Sequence, residues 1–190
     1  MNSEIRIPAE WEDQAAIWTC WPSAHDLWQE DIDGARAEIG AMINALITPH
    51  NGRKNTIKLL VATDEAYQNA TQTLCEEVEI FKIPFGDIWL RDTGPIFAKD
   101  ENGEIALCFG FNGWGGKYVL EHDDKVNLAL VDAAKARGKQ IEFILEGGSI
   151  DGNGAGVFLT TKQCLLNKNR NPELSQSDIE TIMVNDLGAK

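Results

Sequence analysis

Apolar residues at Ile32, Ala35, Ile39, Met42, Ile43, Leu46 and Ile47 recur at three- and four-residue spacing and predict an amphipathic helix over 32–47, stopped by Pro49. Around it the pattern shortens into apolar runs. Ala15 to Trp21, ended by Pro22, reads as a first strand, and Ser23-Ala24-His25-Asp26 as the polar turn after it. Thr56 to Ala62 reads as a buried strand, Thr63 or Asp64 caps a helix running towards Cys75, and Val78 to Ile83 forms the next strand. Strands alternating with helices predict an α/β fold.

The second half of the chain changes character. Gly94 to Ala98 and Ile105 to Phe109 predict a hairpin across the turn Asp100-Glu101-Asn102-Gly103. A glycine-rich loop over Phe111 to Tyr118 leads to a helix from about Asp123 to Ala136, ended by Gly138, and then to a strand over Ile141 to Leu145. Ser149 to Asp151 and Val157 to Thr160 pair around Gly152-Asn153-Gly154, and Ser177 to Leu187 is the final helix. Twice a strand is followed by a carboxylate-bearing loop and then a hairpin. Such a repeat, with a period of roughly fifty residues, points to a pseudo-symmetric, propeller-like α/β array in which strand ends converge on a centre.

With 190 residues and 43% hydrophobic content, one compact domain is expected ahead of two small ones. A formal charge of −13 and no cluster of Lys and Arg argue against nucleic-acid or anionic-membrane partners; the acidity itself is mostly a matter of solubility. Met1 to Asp13 lacks a signal-peptide core and no run approaches the roughly 20 apolar residues of a membrane span, so a cytoplasmic protein is expected. Cys20, Cys75, Cys108 and Cys164 show no zinc-site spacing and read as reduced, buried thiols.

The chemistry concentrates at strand ends. Gly86 to Pro95 places Asp87 and Asp92, with Arg91 and Trp89, in a loop after a strand, and Glu146-Gly147-Gly148-Ser149 repeats the setting after Ile141 to Leu145. Three acids at strand ends fit a cationic ligand. A guanidinium is planar with five N–H donors, so carboxylates at its edges and an aromatic ring at its face hold it best; Asp92, Glu146 and Trp89 or Trp114 supply those groups. Spacing alone slightly favours a plainer role for Asp92, an ion pair with Arg91 or a loop cap. By the same standard Glu146 is a surface acid and the tryptophans are core.

Gly113, Gly115 and Gly116 do not have the spacing of a phosphate-cradling loop. His122-Asp123-Asp124 opens the predicted helix, where Asp acts as a cap, and His25 and His50 lie in turns without an evident partner.

Ile88 to Pro95, Phe111 to Tyr118, Leu145 to Ile150 and Cys164 to Pro172, together with Trp21-Pro22, resemble the agmatine deiminase family, related to bacterial peptidylarginine deiminases, in order and spacing over essentially the whole chain. The resemblance implies the pentein fold, a pseudo-fivefold α/β propeller of which residues 1–190 cover the N-terminal modules. It implies that Asp92 binds the guanidinium, that Glu146 holds it and assists proton transfer, and that Trp89 and Trp114 line the substrate site. Asp87 is a candidate for the ammonium end of agmatine. In that family a cysteine thiolate attacks the guanidinium carbon, ammonia leaves and water hydrolyses the thiouronium, with a histidine as acid and base and no cofactor or metal.

The family's His-x-Asp motif and its nucleophilic cysteine lie beyond Lys190, and none of the four cysteines stands in the nucleophile's context. The expectation is therefore the N-terminal half of a hydrolase that converts agmatine to N-carbamoylputrescine on the route to putrescine, inactive by itself. Peptidylarginine deimination and non-catalytic guanidinium binding are the alternatives. A homo-oligomer or a completing C-terminal fragment are the partners considered.

Overall fold

The computed structural model describes residues 5–50 and 54–190. The chain divides into two compact units: one runs from Asp13 to Leu90 and takes in Leu120–His122, and the other holds the N-terminal stretch to Glu12, Arg91–Val119 and Asp123–Lys190.

The Asp13–Leu90 unit is built on three short parallel strands, β1 (Ile17–Cys20), β2 (Ile57–Val61) and β3 (Glu79–Lys82), in that order. Ile17 lies beside Ile57 and Lys58 beside Glu79. A one-turn helix α1 (His25–Trp28) follows β1, then α2 (Ile32–Ile47) and, after β2, α3 (Asp64–Thr73). The periodic face of α2 turns Ile43 into a core with Trp21, Ile57, Leu59, Val61, Ala66 and Ala70. Thr63 caps α3, its hydroxyl accepting from Ala66 N–H at 3.0 Å. Arg36, on α2, is buried; it donates to the Pro22 carbonyl at 2.9 Å and to both oxygens of Glu65. His25, expected to lack a partner, approaches Glu65 at 3.2 Å.

The other unit carries the sheet that positions the carboxylates. A single helical turn, α4 (Leu90–Thr93), precedes β4 (Ile96–Asp100), which pairs antiparallel with β5 (Gly103–Gly110), and β5 pairs parallel with β6 (Gly138–Ile144). Between β5 and β6 come the turn α5 (Gly113–Gly116) and the helix α6 (Val126–Ala134). The hairpin β7 (Ile150–Gly152) and β8 (Phe158–Thr160) follows, then α7 (Lys162–Leu165) and α8 (Gln176–Leu187). Leu107, Phe109, Phe143, Leu145, Leu165, Ile179 and Leu187 form the core.

The register has one consequence for chemistry. Ile96 opens β4 opposite Leu107, late in β5, while β5 and β6 run parallel, so the start of β4 and the ends of β5 and β6 share one margin of the sheet. Residues just outside the carboxyl ends of parallel strands are the ones an α/β sheet presents to a ligand.

Three expectations change. Asp92 sits in the helical turn α4 and not in a loop, since four residues are too few to show periodicity. The helix expected over 123–136 is shorter: it starts at Val126 and ends where Lys135 adopts φ 52, and Gly138 opens β6. Asp123 does not cap it; Asp123 is buried, and the residue in the cap position is Lys125. Among the described residues, no helix is long and apolar enough to cross a membrane.

Candidate functional site

Asp92, Trp114 and the segment Glu146–Gly148 meet at that margin. The Asp92 carboxylate accepts from two donors: Gly148 N–H at 2.9 Å on Oδ1 and the Trp114 indole N–H at 2.9 Å on Oδ2. Arg91 does not take the local ion pair that spacing favoured. It reaches Glu10 at 2.5 Å and leaves Asp92 to the sheet margin. With one donor on each oxygen, Asp92 is held in one plane and keeps unused lone pairs.

The two glycines after Glu146 explain how the segments come so close. A Cβ at Gly147 would stand 2.4 Å from the Arg91 carbonyl oxygen, and one at Gly148 would stand 2.3 Å from Asp92 Oδ1. Only a residue without a side chain allows this approach.

Trp114 is aimed by an unusual backbone. Its φ of 55° and ψ of 45° lie in the left-handed region, which costs a non-glycine residue free energy. Asn112 steadies the turn by accepting from Gly115 N–H at 2.9 Å. The indole then packs edge-to-face against Phe111, with ring centres 4.9 Å apart, and against Tyr118 at 6.2 Å.

Glu146 follows β6 and is 3% exposed, so it is no ordinary surface acid. Its carboxylate accepts from Arg170 Nε at 2.9 Å on one oxygen and 3.0 Å on the other. Sequence reasoning gave Arg170 no role. The signal lay inside the motif Asn169-Arg170-Asn171-Pro172, but a pair 24 residues apart has no spacing signature. Asn171 anchors this segment to the end of β6, accepting from Ile144 N–H and donating to the Ile144 carbonyl, both at 2.9 Å.

In the Asp13–Leu90 unit, Asp87 also sits among indoles. It accepts from Trp89 Nε1 at 2.8 Å, from Trp28 Nε1 at 3.3 Å and from Ile88 N–H at 2.8 Å. Trp89 is 54% exposed, so the core role that composition favoured does not describe it; Trp28 was not anticipated.

Cys20 and Cys108 are buried as expected, whereas Cys75 is exposed and Cys164 half-buried. Burial pushes the Cys108 thiol up, away from the thiolate a nucleophile requires. Among the described residues, no group of three or more His, Cys, Asp or Glu side chains is arranged to hold a metal ion.

Comparison with known proteins follows the same outline. Residues 6–190 match the family described as Porphyromonas-type peptidyl-arginine deiminase. An agmatine deiminase of Pseudomonas aeruginosa is 36% identical over 184 residues, covering 93% of this chain and 48% of that protein, and one of Pseudomonas putida is 34% identical over 191 residues, covering 96% and 50%. The chain thus spans about half the length of the curated relatives it matches. Among solved structures, an agmatine deiminase of Enterococcus faecalis superposes with a TM-score of 0.89 at 27% identity, over 98% of this chain and 52% of that one. An agmatine deiminase of C. jejuni with substrate bound gives 0.88 at 32%, over 99% and 55%.

Proposed function

Because the chain belongs to the Porphyromonas-type peptidyl-arginine deiminase family, we propose that it carries the guanidinium-binding acids of a hydrolase that converts agmatine and water to N-carbamoylputrescine and ammonia. Asp92 and Glu146 grip the guanidinium, Glu146 also assists proton transfer, and Trp114 and Trp89 contact the substrate. Asp87 is assigned to the ammonium end. The role of Trp89 rests on the sequence resemblance, and that of Asp87 on the need for an additional acid to favour agmatine's ammonium end.

One observation carries the reading: the Asp92 carboxylate is fixed by Gly148 N–H, two residues beyond buried Glu146, at the sheet margin where ligands bind. A pair of preset carboxylates suits a flat cation whose charge is spread over three nitrogens. In the reaction a cysteine thiolate attacks the guanidinium carbon and ammonia leaves. Water then hydrolyses the S-alkylthiouronium to the ureido product and frees the thiol. The resemblance assigns the nucleophile and the acid–base histidine to motifs that no residue in 1–190 matches, so this stretch is read as the binding half of the chemistry. The same reading includes the whole protein's pseudo-fivefold α/β propeller, supported by superposition on agmatine deiminase structures.

Deimination of arginine in peptides is the second reading, favoured by the description of the matched family. Assay of ureido product by the whole protein separates the two. Turnover of agmatine well above that of an arginine-containing peptide supports the first, the reverse order supports the second, and no turnover of either refutes both.

A further inference from the structure

We propose that Arg170 is a positioning residue for Glu146: its guanidinium fixes the position of the carboxylate and thereby sets the rate of the chemical step. The proposal rests on the deiminase reading and adds a residue to which that reading gave no task.

The geometry is specific. Arg170 uses a single donor, Nε, to reach both Glu146 oxygens at 2.9 and 3.0 Å, so the carboxylate is held symmetrically and each oxygen keeps acceptor capacity for a second cation or a proton. The side chains are 11% and 4% exposed, which confines both to one arrangement. A charge so buried is costly unless paired, so Arg170 also lets Glu146 remain where it is.

Arg170 is itself held from two sides. Asn171 clamps the neighbouring backbone to Ile144, two residues before Glu146, which fixes where Arg170 starts. Arg170 Nη1 donates to Asn169 Oδ1 at 3.0 Å, and the Asn169 carbonyl accepts from Asn112 Nδ2 at 2.9 Å. Asn112 in turn braces the turn that aims Trp114 at Asp92. One chain of hydrogen bonds therefore links the supports of both acids, and Arg170 is its only cation.

A lysine keeps the charge but replaces a rigid guanidinium, oriented through Asn169, with a mobile ammonium, so it cannot hold the carboxylate in one place. The test uses the whole protein with Arg170→Lys and Arg170→Ala, read as kcat, KM and melting temperature with agmatine. Misplacement of a reacting group by about 1 Å costs on the order of a hundredfold in rate. We therefore expect kcat to fall roughly 10- to 100-fold in Arg170→Lys, with KM within about threefold because Asp92 keeps its own donors. Ethylguanidinium added to Arg170→Ala restores part of kcat. Native kcat in Arg170→Lys, or a loss confined to KM, overturns the proposal; if Arg170→Ala does not fold, Arg170→Lys decides. Failure of the native protein to turn over any guanidino compound would instead refute the deiminase reading.

Discussion

The backbone N–H of Gly148 donates to the Asp92 carboxylate at 2.9 Å, and a Cβ on Gly148 would lie 2.3 Å from that same oxygen. Hydrogen bond and missing side chain are two faces of one requirement, that β6 and α4 end within touching distance. Gly148→Ala should displace Asp92 and destabilise the fold by about 1–3 kcal/mol, as overpacking does. Gly116→Ala is the contrast, because its Cβ would meet no atom within 4 Å and its cost comes only from the left-handed φ of 80°. Agmatine binding should weaken in the first variant and hold in the second.

Trp114→Phe removes the indole N–H from Asp92 and retains a ring against Phe111 and Tyr118. The loss of one hydrogen bond to a charged acceptor is worth about 1.5–3 kcal/mol. Thermal unfolding should show a melting temperature lowered by a few degrees, and titration calorimetry weaker agmatine binding because one Asp92 oxygen is no longer held.

Asn171→Ala breaks both hydrogen bonds to Ile144 and leaves two backbone groups without their partner. A destabilisation of about 1–3 kcal/mol is expected in urea unfolding, with a lower kcat on agmatine because Arg170 loses its anchor.

Acid should unfold the protein in a defined window. Hydrogen bonding to Arg6 holds Glu12 down at about 2, and hydrogen bonds from Arg36, Arg137 and Ser175 lower Glu65, Asp100 and Asp178. Each carboxyl binds its proton more weakly in the folded chain, so its contribution is complete above the unfolded carboxylate values near 4 and lost as pH falls through the lower folded values. The urea midpoint should be flat from about pH 7 to 5 and drop between about 4 and 2, with a smaller drop in high salt because Glu65 and Asp178 are solvent-exposed.

Much of this was legible where the pattern is local. The span 32–47 is readable because its apolar spacing runs four turns and Pro49 ends it, and α2 covers Ile32–Ile47. The two hairpins announce themselves through Asn102-Gly103 and Asn153-Gly154. What stayed hidden depends on distant partners or brief geometry. Lys135 supplies a left-handed helix end that glycine usually signals, so the helix was read too long. The left-handed turn at Trp114 and the pairing of Arg170 with Glu146 are set by where β5 and β6 end, which no short window of sequence encodes.

The most direct test of the central claim is titration calorimetry of the protein with agmatine and, separately, putrescine, which has no guanidinium. Heat with agmatine, abolished in Asp92→Asn and Glu146→Gln and absent with putrescine, is the predicted result. Equal binding of the two compounds, or agmatine binding unchanged in Asp92→Asn, would contradict the assignment of these acids to a guanidinium.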